Sequence, residues 1–337
     1  MRFRSVFIEA LAYDLPETCV LTADIESVLD ALYARIGLAP GTLLGLTGVE
    51  ARRLWPTDVR PWQRAVVAAR GALDLARVGR DEVGLLVSTA VSRDVLEPSV
   101  ASSVHGALGL PARCRNHDLA NACLGVLSGM VEVGAQLEAG LLDVGVVVAG
   151  EGSREVLEAT LDTLCAPDAD ARAYSANLAT LTLGSAAVAA VLVHERRTRG
   201  GHRLLGEVAL AATEHNDLCR GDFRGMSTDG TRLLEAGVTL GAQTWAAAAP
   251  VFGWTTALDA YAMHQVGRTH YGAITGALGI PAGRAPVIYD QLGNIGAAGV
   301  PVTLCRAAEQ GLLRPGGRAA LLGIGSGLNC AMQGVIW

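Results

Sequence analysis

Three side chains in this sequence stand where their chemistry is usable. Cys123 lies in Leu119-Ala120-Asn121-Ala122-Cys123-Leu124-Gly125, between a short β-rich run and the first turn of a Gly/Ala-rich helical pattern. Free backbone N–H groups and the helix dipole at such a place favour a thiolate, so a lowered thiol pKa is expected. A thiolate attacks thioesters and esters and carries the acyl group covalently. The plainer role is a small apolar side chain at a helix start. His264 ends an apolar run in Tyr261-Ala262-Met263-His264-Gln265-Val266, where its Nε2 can face a pocket as a donor or acid–base group; a structural histidine is the alternative. His270 follows six residues later, off the helical face of His264 and without a carboxylate cluster, so a metal pair is not expected. Asn294, in Gly293-Asn294-Ile295-Gly296-Ala297-Ala298, occupies a tight turn before a helix. It can cap that helix or offer its amide N–H₂ to a developing oxyanion.

Two further segments bear on these three. Glu97 precedes Pro98 in a loop, the ordinary setting of a solvated turn acid. Gly323-Ile324-Gly325-Ser326-Gly327 has the spacing of a phosphate loop, but only ten residues follow Gly327, too few to complete a βαβ unit. A dinucleotide site is therefore rejected. Backbone N–H groups of this loop, at Gly325 and Ser326, are expected to face a carbonyl carried on Cys123.

The elements that must position these groups read as α/β layering around a buried sheet. Val83 to Thr89, Asp118 to Ala120 and Asp143 to Ala149 read as strands, with helices near Val100 and from Cys123. Ala257 to His264, Val287 to Asp290 and Arg318 to Leu322 read as strands in the second half, with helices near Tyr271 and after Ile295. A shift of 171 positions lays Cys123 on Asn294, Gly125 on Gly296 and Gly140-Leu141-Leu142 on Gly311-Leu312-Leu313, and a shift of 175 lays Thr89 on His264. The chain then divides into similar halves, residues 1–172 with the cysteine and 173–337 with the histidine, the asparagine and the glycine loop. All three chemical residues fall at strand ends or strand-to-helix turns, the edge where open α/β folds place their chemistry.

Composition excludes several classes. Charged residues are 18% of 337 and hydrophobic ones 50%, which suits a packed globular protein and not a disordered one. Acids outnumber bases 33 to 27, a net charge of −6, so no global attraction to nucleic acid is expected. The longest apolar stretch, Leu178 to Val193, is interrupted by Thr180, Thr182, Gly184 and Ser185 and is too short to span a bilayer. Arg2 and Arg4 are followed by Glu9 and Asp14 before any long apolar run, a pattern unlike a secretory signal, and the expected compartment is the cytoplasm. Seven scattered cysteines without a CxxC pair suggest neither a disulfide framework nor a zinc site.

The order Cys123, His264, Gly293-Asn294 and terminal glycine loop, spread over the whole chain, resembles the thiolase superfamily, in its 3-oxoacyl-[acyl-carrier-protein] synthase III branch. Within that branch, Val91-Ser92-Arg93-Asp94-Val95-Leu96-Glu97-Pro98-Ser99, Asn121-Ala122-Cys123-Leu124, Ala51-Arg52-Arg53-Leu54-Trp55, Leu218-Cys219-Arg220-Gly221 and Leu322 to Cys330 are similar to the acyl-CoA:acyl-CoA condensing enzymes of bacterial olefin synthesis. Gly267, Thr269, Ala297 and Gly299 depart from that pattern and bear on substrate length more than on reaction type. The resemblance implies a five-layer αβαβα fold and a homodimer. It also implies fatty acyl-CoA substrates with no cofactor, and a non-decarboxylative Claisen condensation feeding olefin or β-lactone synthesis, with downstream enzymes as possible partners. In it Cys123 carries the acyl chain, His264 and Asn294 bind the enolate oxygen, and Glu97, reaching the partner's site, removes the α-proton. The competing expectation is a malonyl-dependent starter synthase, which obtains its carbanion by decarboxylation and needs no such base.

Overall fold

The computed structural model describes residues 1–222 and 225–337. Its main sheet runs in the order Ala260–Met263, Arg318–Gly325, Asn329–Ile336, His202–Ala211, Val6–Asp14, Ala186–His194, Val144–Glu151, Leu85–Ser88, Arg115–Asp118. Val6–Asp14, Ala186–His194 and Val144–Glu151 pair antiparallel, and Leu85–Ser88 lies parallel to both of its neighbours. The other four strands repeat this logic: Ala260–Met263 parallel to Arg318–Gly325, then antiparallel steps to Asn329–Ile336 and His202–Ala211. Strands of the two groups pair at Phe7–Arg203 and Ile8–His202.

Alternating side chains of each strand serve different layers, as the two-residue period requires. Leu85, Val87, Val147 and Ala149 join a core with Ala262 and Leu321 of the other group, packed on Val126, Leu127 and Met130 of the helix Gly125–Glu138 and Val300 and Leu304 of the helix Gly299–Glu309. Leu86, Val146 and Val148 face outward onto the helices Pro61–Ala76 and Val100–Leu108. Tyr261, Met263 and Leu322 face outward onto Gly230–Phe252 and Arg268–Leu278. The result is helix, sheet, helix, sheet, helix: the expected five layers. Strands buried on both faces explain the unbroken apolar runs that flagged them in the sequence. Among the described residues no helix is long and apolar enough to cross a membrane.

Three expectations are corrected. The strand assigned to Asp118–Ala120 ends at Asp118, spanning Arg115–Asp118. Val287–Asp290 is not a strand, and a helical turn occupies Tyr289–Leu292. Pro286 has no N–H for a ladder, and the side chain of Gln265 takes its place: Nε2 donates to Pro286 O at 2.8 Å, while Oε1 accepts Ile288 N at 2.9 Å and Tyr289 N at 3.2 Å. Finally, Gly323, Ile324 and Gly325 belong to the strand Arg318–Gly325, and Gly325 pairs with Asn329, so the glycine segment is a tight hairpin turn.

Candidate active site

Cys123 sits in a short 3₁₀ turn, Ala122–Leu124, which runs into the helix Gly125–Glu138. Ala122 before it has φ +44°, a left-handed conformation that costs a non-glycine residue about 1 kcal/mol or more. Strained backbone of this kind clusters at functional sites. Gly125 lets the corner close, since a Cβ there would lie 2.2 Å from the Thr89 carbonyl oxygen. The turn packs on the hairpin: a Cβ on Gly325 would be 3.3 Å from Cys123 N. It also packs on the turn Gly296–Ala298, which follows Asn294.

His264 follows directly on the strand Ala260–Met263, its N–H bonded to Leu322 O at 2.9 Å, and it is 4% exposed. Its Nδ1 faces Gly299, where a Cβ would be 3.4 Å away, and is buried without a hydrogen-bond partner. Burial, with His270 adding to it, pushes the imidazole down to about 3, so it is neutral near pH 7. The rings of His264 and His270 stand edge to face with centroids 6.0 Å apart. His270 is therefore a neighbour that the helical-spacing argument set aside, because a loop and not a helix joins the two residues.

Asn294 is fixed from both sides. Its N–H donates to Thr182 O at 2.9 Å and its C=O accepts Gly184 N at 2.9 Å, while Oδ1 accepts Gly296 N at 3.0 Å. Asn294 is not the helix cap expected of it, since Ile295 holds the N-cap position of the turn Gly296–Ala298, but the Oδ1 bond to Gly296 N orients the side chain and leaves the Nδ2 amino group as donor.

The expected lowering of the Cys123 pKa is wrong. Cys123 is only partly accessible, and burial first, then the Glu151 charge, push its thiol up to about 12. A helix dipole supplies about 0.3 to 1 kcal/mol, less than one pKa unit, and cannot offset that. Glu151 is the residue sequence reasoning missed. It is 3% exposed at the end of the strand Val144–Glu151, and burial raises its own pKa despite four hydrogen bonds to it. The available signal was an acid closing an eight-residue strand whose other residues are all apolar. Glu97, by contrast, lies outside this buried cluster, exposed on the loop between Val91 and Ser99 with Val91, Val95 and Leu96. Among the described residues no cluster of His, Cys, Asp or Glu is placed to hold a metal ion.

Comparison with known proteins agrees with this arrangement. Residues 254–337 match the family model for the C-terminal part of 3-oxoacyl-[acyl-carrier-protein (ACP)] synthase III. The chain is 42% identical over 339 residues to the acyl-CoA:acyl-CoA alkyltransferase of Xanthomonas campestris, and 37% identical over 350 residues to that of Shewanella oneidensis, covering 100% of each chain in both cases. A crystal structure of a Xanthomonas campestris OleA variant with bound lauric acid and lauroyl-CoA superposes with a TM-score of 0.97 at 41% identity, covering 99% of this chain and 100% of the other. With this identity over its full length, the chain belongs to the acyl-CoA:acyl-CoA alkyltransferase family of the thiolase superfamily.

Proposed function

We propose that this enzyme joins two fatty acyl-CoA molecules by a non-decarboxylative Claisen condensation. The observation that supports this is the packing of the Cys123 turn on the turn Gly296–Ala298, which follows Asn294 and leads to Gly299 beside His264. Cys123 attacks the first acyl-CoA, the CoA thiolate leaves, and the thiol proton goes to it. Backbone N–H groups at Cys123 and the hairpin residues Gly325 and Ser326 hold the carbonyl oxygen. The second acyl-CoA then enters. Glu97 takes its α-proton, and the carbanion displaces the acyl group from Cys123. The sulfur regains a proton and a 2-alkyl-3-oxoacyl product forms.

His264 suits the enolate role because it is neutral: a bare Nδ1 acceptor is tolerated in a buried site better than an orphan N–H, which leaves the proton on Nε2 as donor. Nδ2 of Asn294 is the second donor. Glu97 belongs to the site of a second copy in a homodimer. Its loop exposes Val91, Val95 and Leu96 and precedes the helix that packs beside Arg115–Asp118, the last strand of the sheet. An apolar loop beside a free strand edge is a surface that another chain covers. No resident cofactor enters this scheme, and the cytoplasm is the compartment that holds its acyl-CoA substrates.

The synthase III match favours one competitor, malonyl-dependent condensation. Incubation with lauroyl-CoA alone separates the two: CoA release with a C–C coupled product supports the present reading, and product only on adding a malonyl thioester refutes it.

A further inference from the structure

A buried carboxylate persists only where donors saturate its oxygens, and those of Glu151 come from two functional segments. Oε1 accepts Val91 N at 3.0 Å and Ala297 N at 3.1 Å; Oε2 accepts Ser92 N at 3.1 Å and the Ser92 hydroxyl at 2.9 Å. Val91 and Ser92 begin the loop that carries Glu97. Ala297 lies three residues beyond Asn294. Gly296 makes the approach possible, since a Cβ there would stand 2.9 Å from Glu151 Cδ. The Glu151 backbone is anchored in turn, its carbonyl accepting Trp55 Nε1 at 2.9 Å. The far end of the loop is pinned separately, by Asp118 accepting Val100 N at 3.0 Å and Ala101 N at 2.8 Å.

We propose that Glu151 is a positioning residue with two tasks: it braces the Asn294 turn of its own chain and, through the root of the Val91–Ser99 loop, aims Glu97 at the partner's site. The second task rests on the reading above, in which Glu97 acts across a dimer. One carboxylate then ties the enolate donors of one site to the base of the other. A glutamine at this position keeps the volume but has one acceptor oxygen, and its N–H₂ opposes whichever donors it meets. With its oxygen in place of Oε1 the Ser92 N–H loses its acceptor, and with its oxygen in place of Oε2 both Val91 and Ala297 lose theirs, so the loop root is weakened in either orientation.

Mixed dimers separate the tasks. One full-length chain carries Cys123→Ala and the other Glu97→Ala, with different tags, so that the single complete site uses the Cys123 of the second chain and the Glu97 of the first. Glu151→Gln placed only in the Cys123→Ala chain should lower condensation of lauroyl-CoA about 10- to 100-fold, the scale of a misplaced catalytic group. Acylation of Cys123 in the other chain, followed by intact mass, should keep its rate. Placed only in the Glu97→Ala chain, the same substitution should lower condensation through the Asn294 turn. If Glu151→Gln prevents folding, Ser92→Ala removes the hydroxyl's bond to Glu151 together with its two bonds to Gly152, all at the loop root, and should lower condensation more in the Cys123→Ala chain than in its partner. An active starting pair whose condensation is unchanged by either substitution in the Cys123→Ala chain would overturn the proposal alone. So would an equal loss of acylation and condensation. An inactive starting pair, with Glu151 intact in both chains, would overturn the cross-dimer reading and the loop task with it.

Discussion

With the Cys123 thiol pushed up to about 12 and the imidazole of His264 pushed down to about 3, both groups are neutral at pH 7. They are not a preformed thiolate–imidazolium couple, and the proton must leave sulfur as the attack proceeds. Alkylation of Cys123 by iodoacetamide, followed by peptide mapping to separate it from the exposed Cys19 and Cys165, should therefore speed up steadily with pH and show no plateau below about pH 10. A plateau near pH 7 would show a stabilised thiolate. In the proposed mechanism Glu97 serves only the second step. Glu97→Gln should leave acylation of Cys123 intact and slow condensation by about 10² to 10⁴, the usual weight of a general base. Acyl-enzyme should then accumulate in intact-mass spectra; undiminished condensation would return Glu97 to the role of a solvated turn acid.

Gln265 shows how a side chain can stand in for a strand. Three buried backbone groups, at Pro286, Ile288 and Tyr289, depend on it, and each would cost about 1 to 3 kcal/mol if left bare. Gln265→Leu should lower unfolding stability by about 3 kcal/mol or more in urea titration, and should reduce condensation because the turn into Asn294 follows these residues. Unchanged stability would mean that water replaces the amide. The missing strand was not legible in the sequence for this reason: its neighbours in the chain read as β, while the group that satisfies them lies more than twenty residues away. Cys123, His264 and Asn294 were legible because each marks a local event, an apolar run breaking into a glycine-rich turn. Glu151 was not, since an acid after an apolar strand reads as a surface cap, and its donors at Ala297 and Val91 come from remote parts of the chain. The direction of the Cys123 pKa failed likewise: the helix start is local, burial is not.

The five layers bury both faces of each strand group but leave the sheet edge at Arg115–Asp118 and the nearby loop open, and Leu96 on that loop is 75% exposed. A second copy related by a two-fold axis would cover both loops at once, so each interface change is felt twice. Burying a leucine side chain is worth about 1.5 to 3 kcal/mol. Leu96→Asp, acting in both copies, should therefore weaken the dimer by roughly 10² to 10⁴ in dissociation constant, measured by sedimentation equilibrium. The chemistry should divide along the same line. Acylation uses only groups of one chain: Cys123, its own backbone N–H and the hairpin. Condensation, in the mechanism proposed above, also needs Glu97 from the other. At concentrations where Leu96→Asp is monomeric, lauroyl-CoA should still acylate Cys123 and release one equivalent of CoA, while coupled product disappears and returns as the protein is concentrated. Condensation that persists in a proven monomer would place Glu97, or another base, within the same chain.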